Sequence, residues 1–200
     1  MDENALIQSA RKGDLNAFNT LVLAYQHQVY NLAYRIMGEQ AAAEDATQDT
    51  FISAYKNLKS FRGGSFKSWL LRIVTNACYD DLRRRKRRPA TSLDEMLGDQ
   101  EGDMEVDVPS ADDGPETVMQ RREMIDLIQT GITTLPDDQR VTLVLSDVQA
   151  MSYEEIAEIT HTNVGTVKSR LSRGRARLRE YLQAHGELLP DLYRLDTNGA

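Results

Sequence analysis

The stretch from Ser152 to Leu178 restricts the fold of this chain more than any other, because it contains two helix starts and a polar turn within 27 residues. Ser152, with Glu155 three positions later, forms the pattern of a capping box and predicts the start of a first helix. Asn163 follows the polar turn and is a favourable N-cap for a second helix. Apolar residues recur in that helix with helical spacing: Val164, Val167, Leu171 and Leu178. The pattern predicts a helix-turn-helix.

The rest of the second helix is densely basic. Its polar and basic residues are Lys168, Ser169, Arg170, Arg173, Arg175, Arg177 and Arg179. A helix-turn-helix whose second helix has one buried stripe and a basic outer face is typical of DNA-binding proteins. An ordinary helical hairpin with a solvated basic face is the alternative. The capping box, the turn and the apolar spacing occur together, which favours DNA binding.

An acidic segment interrupts the chain and accounts for its negative net charge, which a DNA-binding protein does not ordinarily have. The chain has a formal charge of −7. Ten of its acids and none of its Lys or Arg residues lie in residues 90–116, and the remainder has 24 basic and 21 acidic residues. The segment has proline, glycine and no sustained apolar period, so we predict a flexible linker. We expect two helical domains, residues 1–89 and 116–185, joined by a linker of residues 90–115.

Four helices are predicted in the first domain, which makes the expected fold class all-α. They cover residues 3–12, 15–37 and 40–58, and a last stretch that begins after the N-cap Ser65 and ends before Pro89. Gly38 is the expected stop of the second helix. Residues 186–200 form a C-terminal tail, for which a fraying terminus is the default expectation and a regulatory contact the alternative.

Two features of the first domain exceed what a helical bundle needs. The third helix exposes an acidic and amide face, Glu44, Asp45, Gln48 and Asp49, which is either a solvated surface or a docking surface. The loop and the fourth helix combine aromatic residues and glycines with Asn76, Tyr79 and Asp80, followed by six consecutive cations, residues 83–88. Aromatic rings and amides beside a cationic run suit single-stranded nucleic acid, because bases stack on rings while phosphates meet cations. Trp69 and Phe66 have a simpler interpretation as core residues.

Other classes of protein find little support. Cys78, the single cysteine, lies in a helical stretch and is expected to be a small core residue. The three histidines have no metal-like spacing and there is no glycine-rich phosphate loop, so we expect no enzyme activity, metal or cofactor. No run of apolar residues is long enough to span a membrane, and the first residues lack the features of a secretory signal. We therefore expect a cytoplasmic protein.

Several motifs, in order, resemble the sigma-70 family of bacterial RNA polymerase sigma factors, in its small extracytoplasmic-function (ECF) type. Residues 43–51, AEDATQDTF, are similar to the region 2.2 signature. Residues 61–66, FRGGSF, followed by Trp69 and Leu70, are similar to regions 2.3 and 2.4. Residues 135–140, LPDDQR, together with residues 153–157, YEEIA, and 164–170, VGTVKSR, are similar to region 4. Regions 1.1 and 3 of the larger housekeeping factors have no counterpart.

The resemblance implies partners and roles for particular residues. Core polymerase would bind through its β′ coiled coil and β flap, with the coiled coil contacting Glu44, Asp45, Gln48, Asp49 and Phe51. The −10 promoter element would be melted and read by the loop Phe61, Arg62, Gly63, Gly64 and Ser65 and by the helix residues Asn76, Tyr79, Asp80, Arg83 and Arg84. The −35 element would contact Thr166, Lys168, Ser169, Arg170, Arg173, Arg175 and Arg177, with Lys168, Ser169 and Arg173 at base edges. Members of the family are commonly held by an anti-sigma factor.

An autonomous helix-turn-helix repressor or activator is the alternative function. Such a protein would bind DNA as a dimer without polymerase. The acidic face and the aromatic loop argue against it, because a repressor needs no single-strand reader.

Overall fold

A computed structural model describes residues 2–87 and 115–185. Within these two ranges the secondary structure is helical and contains no β-strand. The first range contains α1 (Glu3–Arg11), α2 (Leu15–Met37), α3 (Gln40–Asn57), a 3-10 turn (Leu58–Ser60) and α4 (Phe66–Arg87). The second contains α5 (Pro115–Thr133), α6 (Asp137–Leu143), a π-helical turn (Val144–Val148), α7 (Tyr153–Ile159) and α8 (Val164–Ala184). The all-α prediction is confirmed. The predicted linker, apart from Pro115, and the tail 186–200 lie outside the described residues.

Local side chains set the helix ends in the first domain. Asp2 and Asp14 accept hydrogen bonds from backbone N–H groups in the first turns of α1 and α2, which satisfies donors that have no partner within the helix. Gly38 ends α2 with φ of 77°, a left-handed conformation that glycine adopts without strain. Ser65 Oγ accepts from the Ser68 N–H at 3.1 Å and so caps α4, as predicted.

The core of the first domain forms around α2. Its residues Val29, Leu32, Ala33 and Ile36 are fully buried. Small residues of α3 and apolar residues of α4 pack against them, among them Ala43, Ala54, Leu70 and Val74. Cys78 is also fully buried, which confirms its predicted place in the core, and burial raises the pKa of its thiol to about 12.

The second domain contains the predicted helix-turn-helix. The Ser152 hydroxyl accepts from the Glu155 N–H at 3.2 Å, and a Glu155 carboxylate oxygen accepts from the Ser152 N–H at 3.0 Å, so the capping box is present. The turn leads to Asn163, whose Oδ1 accepts from the Thr166 N–H at 2.7 Å and starts α8. Val167 and Leu171 face inward and are buried. The helix-turn-helix prediction is therefore confirmed in its caps and in its apolar stripe.

The two domains pack directly on each other, which the sequence patterns did not predict. The Arg140 guanidinium donates from Nη1 to the carbonyl of Ile36 at 2.7 Å. A Cβ atom placed on Gly38 would lie 2.6 Å from Cγ2 of Thr133, so α2 and α5 meet closely. An ion pair of 2.7 Å between Arg72 Nη2 and a Glu158 carboxylate oxygen joins α4 to α7. None of the helices in residues 2–87 and 115–185 has the length and hydropathy of a membrane span.

Candidate nucleic-acid and polymerase interfaces

Three surfaces contain the candidate site residues, and the first is the acidic face of α3. Glu44, Asp45, Gln48 and Asp49 are all exposed. The opposite side of α3 is lined by small residues, among them Ala43 and Ala46, which hold the helix close to the core. Glu44 is tied to its own helix by a hydrogen bond of 2.9 Å from Gln40 Nε2 to Glu44 Oε1. Phe51 is half-buried against the core, so it supports this face more than it extends it.

Two apolar residues on the next turn of α3 continue this face. Ile52 is 44% exposed and Tyr55 is 41% exposed, and the two side chains lie beside each other at helical spacing. The Tyr55 ring is held edge-on to Phe18, with ring centroids 5.0 Å apart. Sequence reasoning missed both residues, although they follow Gln48 and Asp49 at helical spacing. The combination of acids, an amide and apolar side chains suits a protein partner better than solvent alone.

The second surface begins with the loop before α4. Gly63 and Gly64 have φ of 97° and 87°, so both need the conformational freedom of glycine, although a Cβ on either would meet no atom within 4 Å. Phe61 is only 6% exposed and packs against Phe66 and Trp69 with centroid distances of 5.5 and 5.3 Å. Phe61 therefore packs into the core and holds the loop against it. Arg62, Gly63, Gly64 and Ser65 are the loop residues that are exposed.

The exposed side of α4 continues this surface. Asn76, Tyr79, Asp80 and Arg83 lie at helical spacing on one side of the helix, with Tyr79 half-buried and the others exposed. The Arg83 guanidinium lies 5.9 Å from the centre of the Tyr79 ring and 3.7 Å from an Asp80 carboxylate oxygen. Burial raises the pKa of Tyr79 to about 12, so its phenol stays protonated well above physiological pH and is available as a hydrogen-bond donor. This side of α4 offers an amide, a phenol and a cation together.

Carboxylates of the same chain partner much of the cationic run at the end of α4. Arg84 forms an ion pair with Asp81. Arg85 contacts Asp81 at 2.6 Å and Glu39 at 2.8 Å. Lys86 Nζ lies 2.6 Å from an Asp137 carboxylate oxygen of the second domain. The run is thus a set of cations with internal counterions, and an anionic partner would have to compete with these carboxylates.

The third surface is the outer side of α8. Lys168, Ser169, Arg173 and Arg177 are exposed, and Thr166 in the first turn is half-buried. The Arg173 Nε donates to the Ser169 carbonyl at 3.2 Å, which lays this side chain along the helix. Lys168, Ser169 and Arg173 lie in the amino-terminal half of α8, the part of a recognition helix that reaches base edges in helix-turn-helix proteins, and Arg177 lies one turn beyond them.

Two arginines of α8 are engaged within the second domain. Arg175 makes two hydrogen bonds to the Asp147 carboxylate, of 2.9 and 2.6 Å, which lower the pKa of Asp147 and raise that of Arg175. Arg170 Nε lies 3.1 Å from an Asp138 carboxylate oxygen, and its side chain is only 19% exposed. These pairs fix α8 against α6 and the π-helical turn. Sequence reasoning missed Asp138 and Asp147 as partners, and no local pattern indicates them.

Two known families match separate parts of the chain. Residues 21–88 match the family Sigma-70 region 2. They cover most of α2, all of α3 and the whole of α4, and so both the acidic face and the loop with its helix. Residues 125–178 match the family Sigma-70, region 4. The chain belongs to the sigma-70 family, as an ECF sigma factor. The resemblance drawn from the sequence motifs is confirmed.

Individual relatives of this sigma factor support the assignment along most of its length. It is 39% identical to the ECF RNA polymerase sigma factor SigW of Bacillus subtilis over 180 residues, which are 88% of this chain and 95% of the relative. It is 38% identical to the ECF RNA polymerase sigma factor SigE of Mycolicibacterium smegmatis over 169 residues, 84% of this chain. The matched part spans 63% of the length of that second relative.

A solved structure shares the arrangement of the helices in this sigma factor. The sigma factor RpoE of Bartonella quintana, in complex with the anti-sigma factor NepR, is similar with a TM-score of 0.64 and 28% identity. The match covers 82% of this chain and 96% of RpoE. Within residues 2–87 and 115–185 of the sigma factor, no group of three or more metal-ligating side chains comes together.

Proposed function

We propose that this sigma factor binds core RNA polymerase and directs transcription initiation at promoters by recognising their −35 and −10 elements. The observation that carries the proposal is the presence, in one chain and in the family's order, of a region 2 match and a region 4 match, each with an exposed polar surface. The polymerase core would supply all of the chemistry. The chain would act by binding, without enzyme activity of its own, in the cytoplasm where the polymerase works.

Docking on the polymerase is assigned to the acidic face of α3. Glu44, Asp45, Gln48 and Asp49 are the proposed contacts to the β′ coiled coil. The exposed Ile52 and Tyr55 extend the proposed contact, because they add apolar area to a charged surface. Phe51 would position the helix. The second domain would bind the β flap, as the family resemblance implies.

Recognition of the −10 element is assigned to the loop and to the exposed side of α4. A melted strand needs polar groups that read the edges of unstacked bases and cations that meet its phosphates. Asn76, the Tyr79 phenol and Asp80 would supply the polar groups. Arg83 and Arg84 would supply the cations. The exposed loop residues Arg62, Gly63, Gly64 and Ser65 would shape the pocket, with Phe61 holding them in place from the core.

Recognition of the −35 element is assigned to the amino-terminal half of α8. Lys168, Ser169 and Arg173 are exposed and would approach base edges in the major groove, where each good contact discriminates by about 1–3 kcal/mol. Thr166 and Arg177 would bind phosphates, which position the helix without reading sequence. Arg170 and Arg175 would have to release Asp138 and Asp147 before binding phosphate, so we propose that their main effect is to orient α8.

An anti-sigma factor is the third proposed partner. Support comes from the RpoE relative, whose structure is a complex with such a factor. The match covers 82% of this chain and 96% of RpoE, so the two proteins share the backbone arrangement on which RpoE binds its anti-sigma factor.

The test of the function is transcription in vitro with purified bacterial core polymerase, with and without the protein, alongside a gel shift of the same DNA without polymerase. We expect initiation from discrete sites only when the protein is added, and weak binding of the protein alone. Tight sequence-specific binding alone, without a gain in initiation, would instead identify a helix-turn-helix repressor.

A further inference from the structure

Arg175 of α8 joins three parts of the second domain at one guanidinium. It makes two hydrogen bonds to the Asp147 carboxylate, from Nε at 2.9 Å and from Nη2 at 2.6 Å. Its Nη2 also lies 3.5 Å from Ser146 Oγ. The side chain of Tyr153, the first residue of α7, is a further hydrogen-bond partner. One arginine therefore holds α8 to the π-helical turn and to the start of α7.

The backbone is irregular where it supplies the Asp147 carboxylate. A π-helical turn is hydrogen-bonded between residues five positions apart instead of four, which directs the following side chains to a different side of the helix. Val144 and Leu145 remain buried while Asp147 faces Arg175. Ala150 follows with φ of 53°, a left-handed conformation that strains a residue with a Cβ atom. Irregular backbone of this kind persists only where surrounding contacts determine it, and it is frequent at functional sites.

The Asp147–Arg175 pair lies beside the proposed base-reading residues. Arg175 follows Lys168 by seven positions, which is almost two helical turns, so the two residues are on the same side of α8. The pair is partly exposed, with 46% of the Arg175 side chain and 34% of the Asp147 side chain accessible. A carboxylate and a phosphate present similar acceptors to the guanidinium fork. Asp147 therefore occupies the position in which Arg175 would otherwise bind a phosphate of the DNA backbone.

A phosphate contact at Arg175 would add affinity without adding discrimination. Phosphates are the same in every sequence, so such a contact favours all DNA equally. α8 already has six basic residues and one acidic residue, Glu180. Base edges, in contrast, are read by hydrogen bonds whose strength depends on distance and angle, and a small rotation of α8 would lengthen them. Sequence recognition by α8 therefore depends on a fixed orientation more than on another cation.

We propose that Asp147 is a positioning residue for −35 recognition, which holds Arg175 away from DNA phosphates and fixes the orientation in which α8 reads base edges. The inference rests on the proposed function for its assignment of α8 to the −35 element. Loss of the carboxylate has two separable effects. It releases Arg175 to the DNA backbone, and it frees α8 to rotate relative to the π-helical turn.

Asp147→Asn tests both effects, because it removes the counterion and keeps the size of the side chain. The full-length variant is assembled with core polymerase and titrated onto a promoter fragment at which the wild-type holoenzyme initiates, and onto the same fragment with its −35 element scrambled. One added phosphate contact should steepen the dependence of log affinity on log salt by about 0.9. Binding of the scrambled fragment should then gain about 3.5-fold over the wild type between about 200 and about 50 mM salt. The preference for the intact fragment should fall at least about five-fold.

Two further variants separate positioning from general destabilisation. Arg175→Gln should lower the preference for the intact fragment at a wild-type salt dependence, because the paired arginine contacts no phosphate. Asp147→Asn combined with Arg175→Gln should behave in the same way, since no cation is released. The control Asp126→Asn makes the same charge change on an exposed residue of α5 and should alter neither quantity.

The salt dependence also gives the results that would overturn the proposal. If Arg175→Gln lowers the salt dependence by about 0.9, Arg175 binds phosphate in the wild type and Asp147 does not hold it away. If Asp147→Asn weakens binding of both fragments equally without a steeper salt dependence, the carboxylate only stabilises the domain. Circular dichroism checks that each variant is folded, and if Asp147→Asn is not, the salt dependence of Arg175→Gln decides alone.

Failure of the proposed function gives a different result. If the wild-type protein supports no initiation by core polymerase, or if its holoenzyme binds intact and scrambled fragments equally, the assignment of the protein or of α8 is wrong. If the wild-type holoenzyme initiates and prefers the intact fragment, and Asp147→Asn has the same preference and salt dependence, the positioning role is wrong and the function stands.

Discussion

The cap of α8 allows the stability of the recognition helix to be separated from its contact with DNA. Asn163 Oδ1 accepts from the Thr166 N–H at 2.7 Å at an exposed helix start. Asn163→Ala removes this acceptor, and loss of an N-cap costs about 1 kcal/mol. For a domain of this size we expect the melting temperature of the second domain to fall by about 4–8 °C. A free-energy change of 1.4 kcal/mol alters an equilibrium constant tenfold, so a loss of about 1 kcal/mol alters it about five-fold. The open form of the first turn of α8 should therefore be populated about five-fold more.

Two matched variants distinguish a loss of promoter use that comes from a less stable helix from a loss that comes from a weaker contact with DNA. Asn163→Ser keeps a neutral cap, so stability and −35 recognition should both remain near wild type. Asn163→Asp also caps the helix and complements its dipole, but it places a negative charge where a DNA phosphate would approach. We expect that variant to melt at or above the wild-type temperature and yet to lose use of the −35 element.

The measurements are thermal melting by circular dichroism, amide hydrogen exchange at Thr166, and transcription from promoters with an intact or a scrambled −35 element. If Asn163→Asp used the −35 element as well as Asn163→Ser does, the start of α8 would not lie near a phosphate. If Asn163→Ala melted and exchanged like the wild type, the hydrogen bond would contribute nothing, and the reasoning about the cap would be refuted.

Four further outcomes are expected. Lys168→Ala should weaken use of the −35 element in transcription assays by about tenfold while core binding is unchanged, and Arg179→Ala, an exposed cation farther along α8, should change neither. Asn76→Ala should form closed promoter complexes but melt the −10 element slowly, and permanganate footprinting would measure the melting. Melting at the wild-type rate would show that this side of α4 does not read the −10 element. Asp49→Lys should reduce affinity for core polymerase in a pull-down without lowering the melting temperature, because Asp49 is exposed. The buried thiol of Cys78, with its pKa raised from 9.0 to about 12, should resist alkylation in the native state, and its contribution to stability should be lost only as pH rises from 9 towards 12.

Features that depend on neighbouring residues could be predicted from the sequence. The capping box of Ser152 and Glu155, the N-cap Asn163 and the terminal Gly38 each act within four positions of a helix end, so their residue types indicate their roles. The apolar period also predicted that Val167 would be buried, because helical spacing defines one face. The four helices of the first domain and the two of the helix-turn-helix followed from these local signals, whereas α5, α6 and the π-helical turn were not predicted.

Features that depend on tertiary packing could not be predicted in this way. Arg175 has the same local appearance as its exposed neighbour Arg173, and only the fold brings Asp147, 28 residues earlier in the chain, within 2.6 Å of it. The loop residue Phe61 was expected to meet DNA, but it is 6% exposed and supports the loop from the core. An aromatic ring beside glycines and cations is compatible with stacking on a base and with burial, and only three-dimensional packing decides between them.

The internal pairing of cations limits how strongly this protein can bind DNA alone. Each phosphate neutralised by a free cation contributes to affinity by releasing counterions from DNA. A cation already paired with a carboxylate contributes only after that partner is displaced, and this applies to Arg84, Arg85, Lys86, Arg170 and Arg175. The chain as a whole carries a charge of −7, and outside residues 90–116 the excess of basic over acidic residues is small, 24 against 21, so unpaired cations are few. Under the proposed function, the acidic face and the paired cations have a common consequence: stable attachment to a promoter would depend on the polymerase, and the contacts made by α4 and α8 would select the sequence.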